Sequence, residues 1–389
     1  MATQDCDHTL HHGFDTSLTH RQKLDEPALF AFLQQHGLAK PNGDRLVVKS
    51  FNHGQSNPTY LLEVVSTDLQ IKRYVCRRQP PGKIVSPTAH RVDREFQVMK
   101  ALSPTNVQVP SVLALCMDPK VIGSNFYVME FCEGRCFKDA SLPELKSKQD
   151  RFSVWYSAVD TLAKLHDVDV VQAGLETFGP KSNDYFVRQV RTLTKVSLAQ
   201  EQVDLQRVRK LDNLQANGKQ ITQWILPQVD EPRTCIVHGD FKMDNLLVHP
   251  TKPEVVAVID WEMSTVGTFG ADLANLLLPF YIPNDHPLAT FLAFTDGTGV
   301  PAVDDLLRRY AEKRQNPKMD FATLKQRMYL YVAFQMFKNS VILQGIAARN
   351  VAGQASNETS EYVGNLAYPL DSLTSTILDQ FEAAVKSKI

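Results

Sequence analysis

A chain of 389 residues, 43% hydrophobic and 22% charged, can bury one large two-lobed core or two ordinary ones, and its 18 Gly and 21 Pro are too few for a low-complexity polymer. Its 42 Lys and Arg offset 43 Asp and Glu, leaving a formal net charge of −1 and no basic footprint for nucleic acid or an anionic membrane surface. No apolar run is long enough to span a bilayer, and no secretory apolar stretch follows Met1.

In chain order, residues 1–25 read as a flexible polar leader. Its His8, His11, His12 and His20 have no apolar pattern to fix them around a metal. Residues 27–36 (PALFAFLQQH) have helical apolar spacing and stop at Gly37. Strands are predicted at 45–51, 59–65 and 74–77, a helix at 89–102, and strands at 112–116 and 126–132. That order makes a small, mainly antiparallel sheet with one helix. Beyond Gly134 the periodicity turns helical: 152–166, 186–196 and 205–225, then 306–315, 321–348 and 370–386. Between these sets lies a compact β segment, with strands at 234–238, 246–248 and 255–260. The expected class is α+β, with a leader at 1–25, a β lobe at 26–132 and a larger, mainly helical lobe at 133–389. The six cysteines, Cys6, Cys76, Cys116, Cys132, Cys136 and Cys235, form no C-x-x-C pair and read as free thiols of a reducing compartment.

Chemistry concentrates in residues 236–248 (IVHGDFKMDNLLV) and 256–262 (VAVIDWE). Phosphoryl transfer needs a base for the attacking hydroxyl, oxygen ligands for the magnesium that bridges the phosphates, and positive charge on the transferred group. Asp240 suits the base, with Lys242 two residues on as the cation. Asn245 offers an amide oxygen and Asp260 a carboxylate to Mg2+. An H-G-D tripeptide alone is weak, since Asp and Asn also mark ordinary turns. The combined set, with strands on both sides and a β lobe upstream, is far more specific. His238 and Asp272 are expected to order the loop, Asp272 by accepting backbone N–H bonds, and Trp261 to pack.

The spacing resembles the protein-kinase catalytic loop and its following magnesium-binding Asp. With Gly239 in place of Arg and Asp260-Trp261-Glu262 in place of D-F-G, it is more similar to the aminoglycoside-phosphotransferase and choline-kinase branch, over about residues 45–350. Residues 54–60 (GQSNPTY), 80–83 (PPGK), 93–95 (DRE) and 126–131 (FYVMEF) are together similar to the kinase-like region that precedes the dehydrogenase in certain long acyl-CoA dehydrogenases. No dehydrogenase part is expected here, the sequence stopping at Ile389.

The resemblance implies a protein-kinase-like two-lobed fold and an ATP- and Mg2+-dependent kinase. Ser56 and Asn57 would lie at the phosphates. Arg77 would pair with Glu95 where kinases pair Lys with Glu, and Met129, Glu130 and Phe131 would form the adenine-reading hinge. Arg for Lys is a departure, because a planar fork binds carboxylate and phosphate in a bidentate way. The implied partner is a small-molecule acceptor, a hydroxyacyl-CoA by resemblance, with a functional link to an acyl-CoA dehydrogenase. Lys83, Arg188, Lys338 and Arg349 are the candidate cations for such a groove, and residues 183–188 and 334–349 its candidate walls. Competing readings are a nucleotide-binding pseudokinase or scaffold, or a kinase for an amino alcohol, sugar or aminoglycoside. The terminal Ser387-Lys388-Ile389 is close to a peroxisomal address, so the expected location is cytoplasmic or peroxisomal.

Overall fold

The computed structural model describes residues 14–15, 24–51, 57–80, 90–180, 184–204, 207–225, 234–289, 299–315, 319–353 and 360–386. The chain divides into two compact units, Met1–Cys136 with Asn245–Ser264, and Phe137–Asp244 with Thr265–Ile389. The sequence reading kept 133–389 in one lobe, whereas here Asn245–Ser264 packs with the first unit.

In the first unit, six strands form an antiparallel sheet in the order β1-β2-β3-β4-β6-β5. They are β1 Phe14–Asp15, β2 Arg45–Phe51, β3 Thr59–Val65, β4 Ile71–Arg78, β5 Val112–Cys116 and β6 Phe126–Glu130. The edge pair β1–β2 puts Phe14 opposite Phe51, so part of the expected leader joins the sheet. β3 is central and almost wholly buried, as its run YLLEVV requires. Helix α1, Glu26–Gln35, is capped by Asp25, whose carboxylate accepts the Ala28 N–H at 3.0 Å, with Pro27 in the first turn. Its Leu29, Phe32 and Leu33 pack with Tyr60, Leu62, Cys76, Phe126 and Val128. Helix α2, Val92–Leu102, buries Val92, Glu95, Val98, Met99 and Leu102 along one face, so Glu95 enters the interior on an apolar stripe.

A three-stranded sheet, order β10-β9-β7, completes this unit from β7 Arg135–Cys136, β9 Leu246–Val248 and β10 Val255–Val258. Gly134 is required beside it: a Cβ there would lie 2.9 Å from the Leu247 Cβ.

The second unit is mostly helical: α3 Lys148–Asp167, α4 Tyr185–Glu201, α5 Leu214–Ile225, α6 Gly270–Leu277, α7 Val303–Lys313, α8 Phe321–Val351, α9 Ser360–Asn365 and α10 Ala367–Lys386. A two-stranded ladder, β8 Cys235–Val237 with β11 Thr265–Gly267, carries the loop that follows β8. The 31-residue α8 is capped by Asp320, which accepts the Thr323 N–H at 2.8 Å. Phe186 stacks on Tyr331 at 5.6 Å and meets Phe334 edge-on at 4.6 Å, joining α4 to α8. The short α6 is buried on every side.

Candidate active site

In the second unit, His238, Gly239 and Asp240 form the turn after β8. Gly239 has φ +86°, a conformation that favours glycine, which accounts for the residue in this place. Buried Asp272 on α6 accepts the His238 N–H at 2.6 Å and the Gly239 N–H at 2.8 Å, and lies 3.4 Å from His166 Nε2. His238 is fully buried, and its Nδ1 accepts the Asp240 N–H at 3.2 Å. Both side chains thus brace the turn. Behind them, His166 Nδ1 meets the Tyr310 hydroxyl at 2.7 Å, and Arg314 donates to that hydroxyl at 2.8 Å and to Asp167 at 2.8 Å. Burial holds the His166 imidazole below its ordinary range, against the pull of Asp272.

The Asp240 carboxylate is partly exposed. Asn275 Nδ2 donates to its Oδ1 at 3.2 Å, and Lys242 Nζ lies 3.4 Å from Oδ2 and 3.3 Å from Asp244. Burial pulls the Lys242 ammonium down, but Asp240 and Asp244 outweigh it, so its affinity for the proton is raised. A partly exposed carboxylate with a neighbouring cation is chemically able to accept a hydroxyl proton.

The first unit holds the remaining polar set. β9 pairs antiparallel with β10, with Leu246 opposite Val258, and the Ile259 N–H donates to the Asn245 carbonyl at 3.0 Å. This register brings Asn245 and Asp260 to one end of the hairpin. Asp260 sits at φ 67°, ψ 61°, in the left-handed region, which costs ordinary side chains about 1–2 kcal/mol and which Asp tolerates better than most. Trp261 is buried, its indole N–H donating to the Val258 carbonyl at 2.9 Å, so it packs.

Arg77 on β4 is buried among three carboxylates. Its Nη2 lies 2.6 Å from Asp260 Oδ1 and 3.4 Å from Glu262 Oε2. Nε lies 2.8 Å from Glu95 Oε2, a charge contact rather than an aligned hydrogen bond. Burial alone would favour the neutral guanidine, but Glu95 and Asp260 reverse this and raise the pKa. Glu95 accepts from Tyr127 Oη at 3.0 Å and from Asn57 Nδ2 at 2.7 Å. Burial pushes the Glu95 carboxyl up, with Arg77, Tyr127 and Asn57 opposing it. Asn57 is fully buried, and its Oδ1 meets His90 Nδ1 at 3.0 Å. Both polar ends of this amide are engaged internally, so the expected phosphate contact is not what its side chain offers; it holds Glu95 instead.

At the expected hinge, Met129 lies inside the sheet between Val75 and Val112. The Glu130 N–H donates to Ser111 at 2.9 Å, and its carboxylate accepts the Ser111 N–H at 3.0 Å. Phe131 is the first residue past β6. Of the groove cations, Lys338 is buried and donates to the Gly239 carbonyl at 2.7 Å rather than standing at an entrance, and Arg188 pairs with Asp184. Arg349 is exposed in the last turn of α8. Ser56, Lys83, Asn183 and the residues 387–389 lie outside the described residues.

Sequence reasoning missed Asn275, Gln335 and Tyr127, and gave Glu262 no role. Once 270–277 is known to be a helix, Asn275 falls on the same face as Asp272, three residues before it. Tyr127 carries no such signal.

Among the described residues, no group of three or more His, Cys, Asp or Glu forms a metal cluster. The donor pair Asn245 and Asp260 nevertheless fits magnesium, a hard cation usually held by one or two carboxylates together with substrate phosphates. No helix among the described residues is long and apolar enough to cross a membrane.

Comparison with known proteins fits this geometry. The chain is 39% identical over 321 residues to mouse (Mus musculus) acyl-CoA dehydrogenase family member 10, covering 81% of this chain and 28% of that protein. It is 36% identical over 360 residues to rat (Rattus norvegicus) acyl-CoA dehydrogenase family member 11, covering 90% of this chain and 43% of that one. It therefore spans less than half the length of either relative. A crystal structure from Ralstonia eutropha, provisionally designated an aminoglycoside phosphotransferase, superposes with a TM-score of 0.74 at 32% identity, over 92% of this chain and 99% of that one. The model of the phosphotransferase enzyme family matches residues 47–312, and the protein-kinase-like arrangement of an antiparallel β lobe and a helical lobe is that family's fold. The chain belongs to the phosphotransferase enzyme family.

Proposed function

We propose that the chain is an ATP- and magnesium-dependent kinase for a hydroxyl group of a small molecule, with Asp240 as the base. The observation that carries this reading is the β9–β10 register, which brings the Asn245 amide and the Asp260 carboxylate to one hairpin end, five residues along the chain from a braced Asp240. Asp240 orients the acceptor hydroxyl and takes its proton as the oxygen attacks the γ-phosphorus. The bond from that phosphorus to the bridging oxygen breaks, ADP leaves with the electron pair, and the proton passes on to solvent. Lys242 offsets negative charge beside the base. Asn245 and Asp260 would hold magnesium, whose charge offsets that of the phosphates. Arg77, fixed by Glu95, keeps the Asp260 carboxylate in place.

For the acceptor we infer a hydroxyacyl chain carried as a CoA thioester. The support is similarity to proteins named acyl-CoA dehydrogenase family members, over the part of them that this chain matches. Phosphorylating such a hydroxyl turns a poor leaving group into a good one, which links the reaction to a partner acyl-CoA dehydrogenase. The test is incubation with magnesium, ATP and 4-hydroxyacyl-CoA esters of several chain lengths, beside choline and aminoglycosides, with product detection by mass. A phosphorylated acyl-CoA supports the acceptor class. Phosphorylation of the amines alone overturns it and leaves the kinase standing.

A second reading, nucleotide binding without turnover, draws on the 2.6 Å contact between Arg77 and Asp260, which engages the metal-binding carboxylate with a side chain that other kinases replace by Lys. Magnesium-dependent ATP binding with no ADP release under any acceptor would favour it. Peroxisomal import through Ser387-Lys388-Ile389 is tested by fusing these residues to a reporter; a diffuse signal rules it out.

A further inference from the structure

We propose that Gln335 and Lys338, one turn apart on α8, are positioning residues for Asp240, Gln335 aiming its carboxylate through Asn275 and Lys338 holding the carbonyl of Gly239. The inference rests on the reading of Asp240 as the base.

The direction of the hydrogen-bond chain is fixed by chemistry. Asn275 Nδ2 lies 3.2 Å from Asp240 Oδ1 and 3.2 Å from the Phe241 carbonyl. An ionised carboxylate and a backbone carbonyl accept only, so Asn275 must turn its NH₂ group toward them. Its oxygen then faces Gln335, which must donate, and Gln335 Nε2 lies 2.6 Å from that oxygen. The same Nε2 reaches Asn339 Oδ1 at 3.2 Å, so it has acceptors on both sides. Gln335 and Asn275 are both buried. Put an acceptor in place of that donor, and Asn275 faces acceptors at both ends, so that it must set its oxygen against one of the two carboxylates.

Lys338 acts on the backbone of the same turn. The residue is about nine-tenths buried, and its ammonium donates to the Gly239 carbonyl at 2.7 Å. Among the described residues this is its one hydrogen-bond acceptor. Burying an ammonium is costly unless it is paired, and a methionine of similar length would line the same wall without that cost. Burial does hold its pKa down, with Asp240 and Asp272 pulling the other way. The Asp240 turn is thus gripped through its N–H groups by Asp272, through its carbonyl by Lys338, and through its carboxylate by the chain from Gln335.

The experiment compares full-length wild type with Lys338→Met, Lys338→Arg, Gln335→Glu, Gln335→Met and Asp240→Asn. The readout is ADP release in magnesium and ATP with water as the acceptor. Hydrogen bonds to charged groups set the scale: Lys338→Met and Gln335→Glu should each lower kcat about 10- to 100-fold with the KM for ATP unchanged. Gln335→Glu keeps the shape but cannot donate, so it should be at least as damaging as Gln335→Met. Lys338→Arg, which keeps the charge and a donor, should recover part of the loss. Full kcat in Lys338→Met and Gln335→Glu, where Asp240→Asn is inactive, overturns the proposal. If wild type shows no Asp240-dependent release to water, the kinase reading is left to the acceptor screen, and amide hydrogen exchange decides the positioning claim. Faster exchange at Gly239 and Asp240 in Lys338→Met, confined to that turn, supports it; unchanged exchange overturns it.

Discussion

Arg77 and Asp260, 183 residues apart in sequence, meet at 2.6 Å inside the first unit, and the same guanidinium lies 2.8 Å from Glu95. One buried cation therefore bridges two acids from separate elements, with Glu262 at 3.4 Å as a third. Removing it strands buried negative charge. Arg77→Met should destabilise the protein by about 3–5 kcal/mol, read from denaturant unfolding midpoints. Arg77→Lys, with a point charge in place of a fork, should lose less but not be neutral. A neutral Arg77→Met would mean that the carboxylates find water instead.

Asp240→Asn should lower turnover about 10²- to 10⁴-fold, because the amide cannot take up the hydroxyl proton. Nucleotide affinity, followed by fluorescence or calorimetry, should stay near that of wild type. A variant that keeps most of its activity would remove Asp240 from the role of base.

Asp260→Asn should weaken ATP binding in the presence of magnesium much more than in its absence, since an amide is a poorer ligand for a hard cation than a carboxylate. The check is ATP affinity measured with and without magnesium. Equal affinity of variant and wild type in magnesium would assign Asp260 to the ion pair with Arg77 alone.

His166 predicts a pH dependence of stability. Its folded-state pKa is lowered, burial being the leading cause, so its stabilising contribution is complete above the ordinary histidine value of about 6.5 and is lost as the pH falls through the folded value. Thermal unfolding midpoints should decline below about pH 6.5, with a slope of up to ~1.4 kcal/mol per pH unit from this group. In His166→Gln that share of the slope should vanish. An unchanged slope would place the acid sensitivity elsewhere.

Gly270→Ala should destabilise by about 1–3 kcal/mol, because a Cβ there would lie 2.7 Å from the Tyr331 ring, itself packed on Phe186 and Phe269. Thermal unfolding measures this directly. Recovery by Tyr331→Leu in the double variant would confirm that the ring is the obstacle.

α1, β2, β3 and α8 fall within a few residues of their predicted bounds because their apolar runs are bounded in the sequence by Gly, Pro, Asn or Asp. α6 was missed because eight residues are too few to tell a buried helix from a strand, and β7 because two residues carry no period. At the site, the turn residues His238, Gly239 and Asp240 stood out by type and spacing. Asn57 misled, since its place in a turn suggested a ligand contact while the fold engages both ends of its amide with Glu95 and His90. Lys338 misled in the opposite sense: lysine usually means solvent, and nothing local announces that α8 carries it inward to Gly239. Long-range partners such as Gln335 for Asn275, 60 residues away, leave no trace in a single sequence.

The first unit is interrupted: Asn245–Ser264 belongs with Met1–Cys136. A ribosome that has released Cys136 must therefore add about 120 further residues before β9 exists to pair with β7 and β10 to pair with β9. At typical elongation rates that delay lasts roughly 6–25 s. During it the nascent β lobe lacks Asp260 and Glu262, so Arg77 has only Glu95 of its three carboxylate partners. For the same reason, recombination that swaps this lobe between relatives at a single crossover near residue 136 would leave the guanidinium facing acids inherited from another parent.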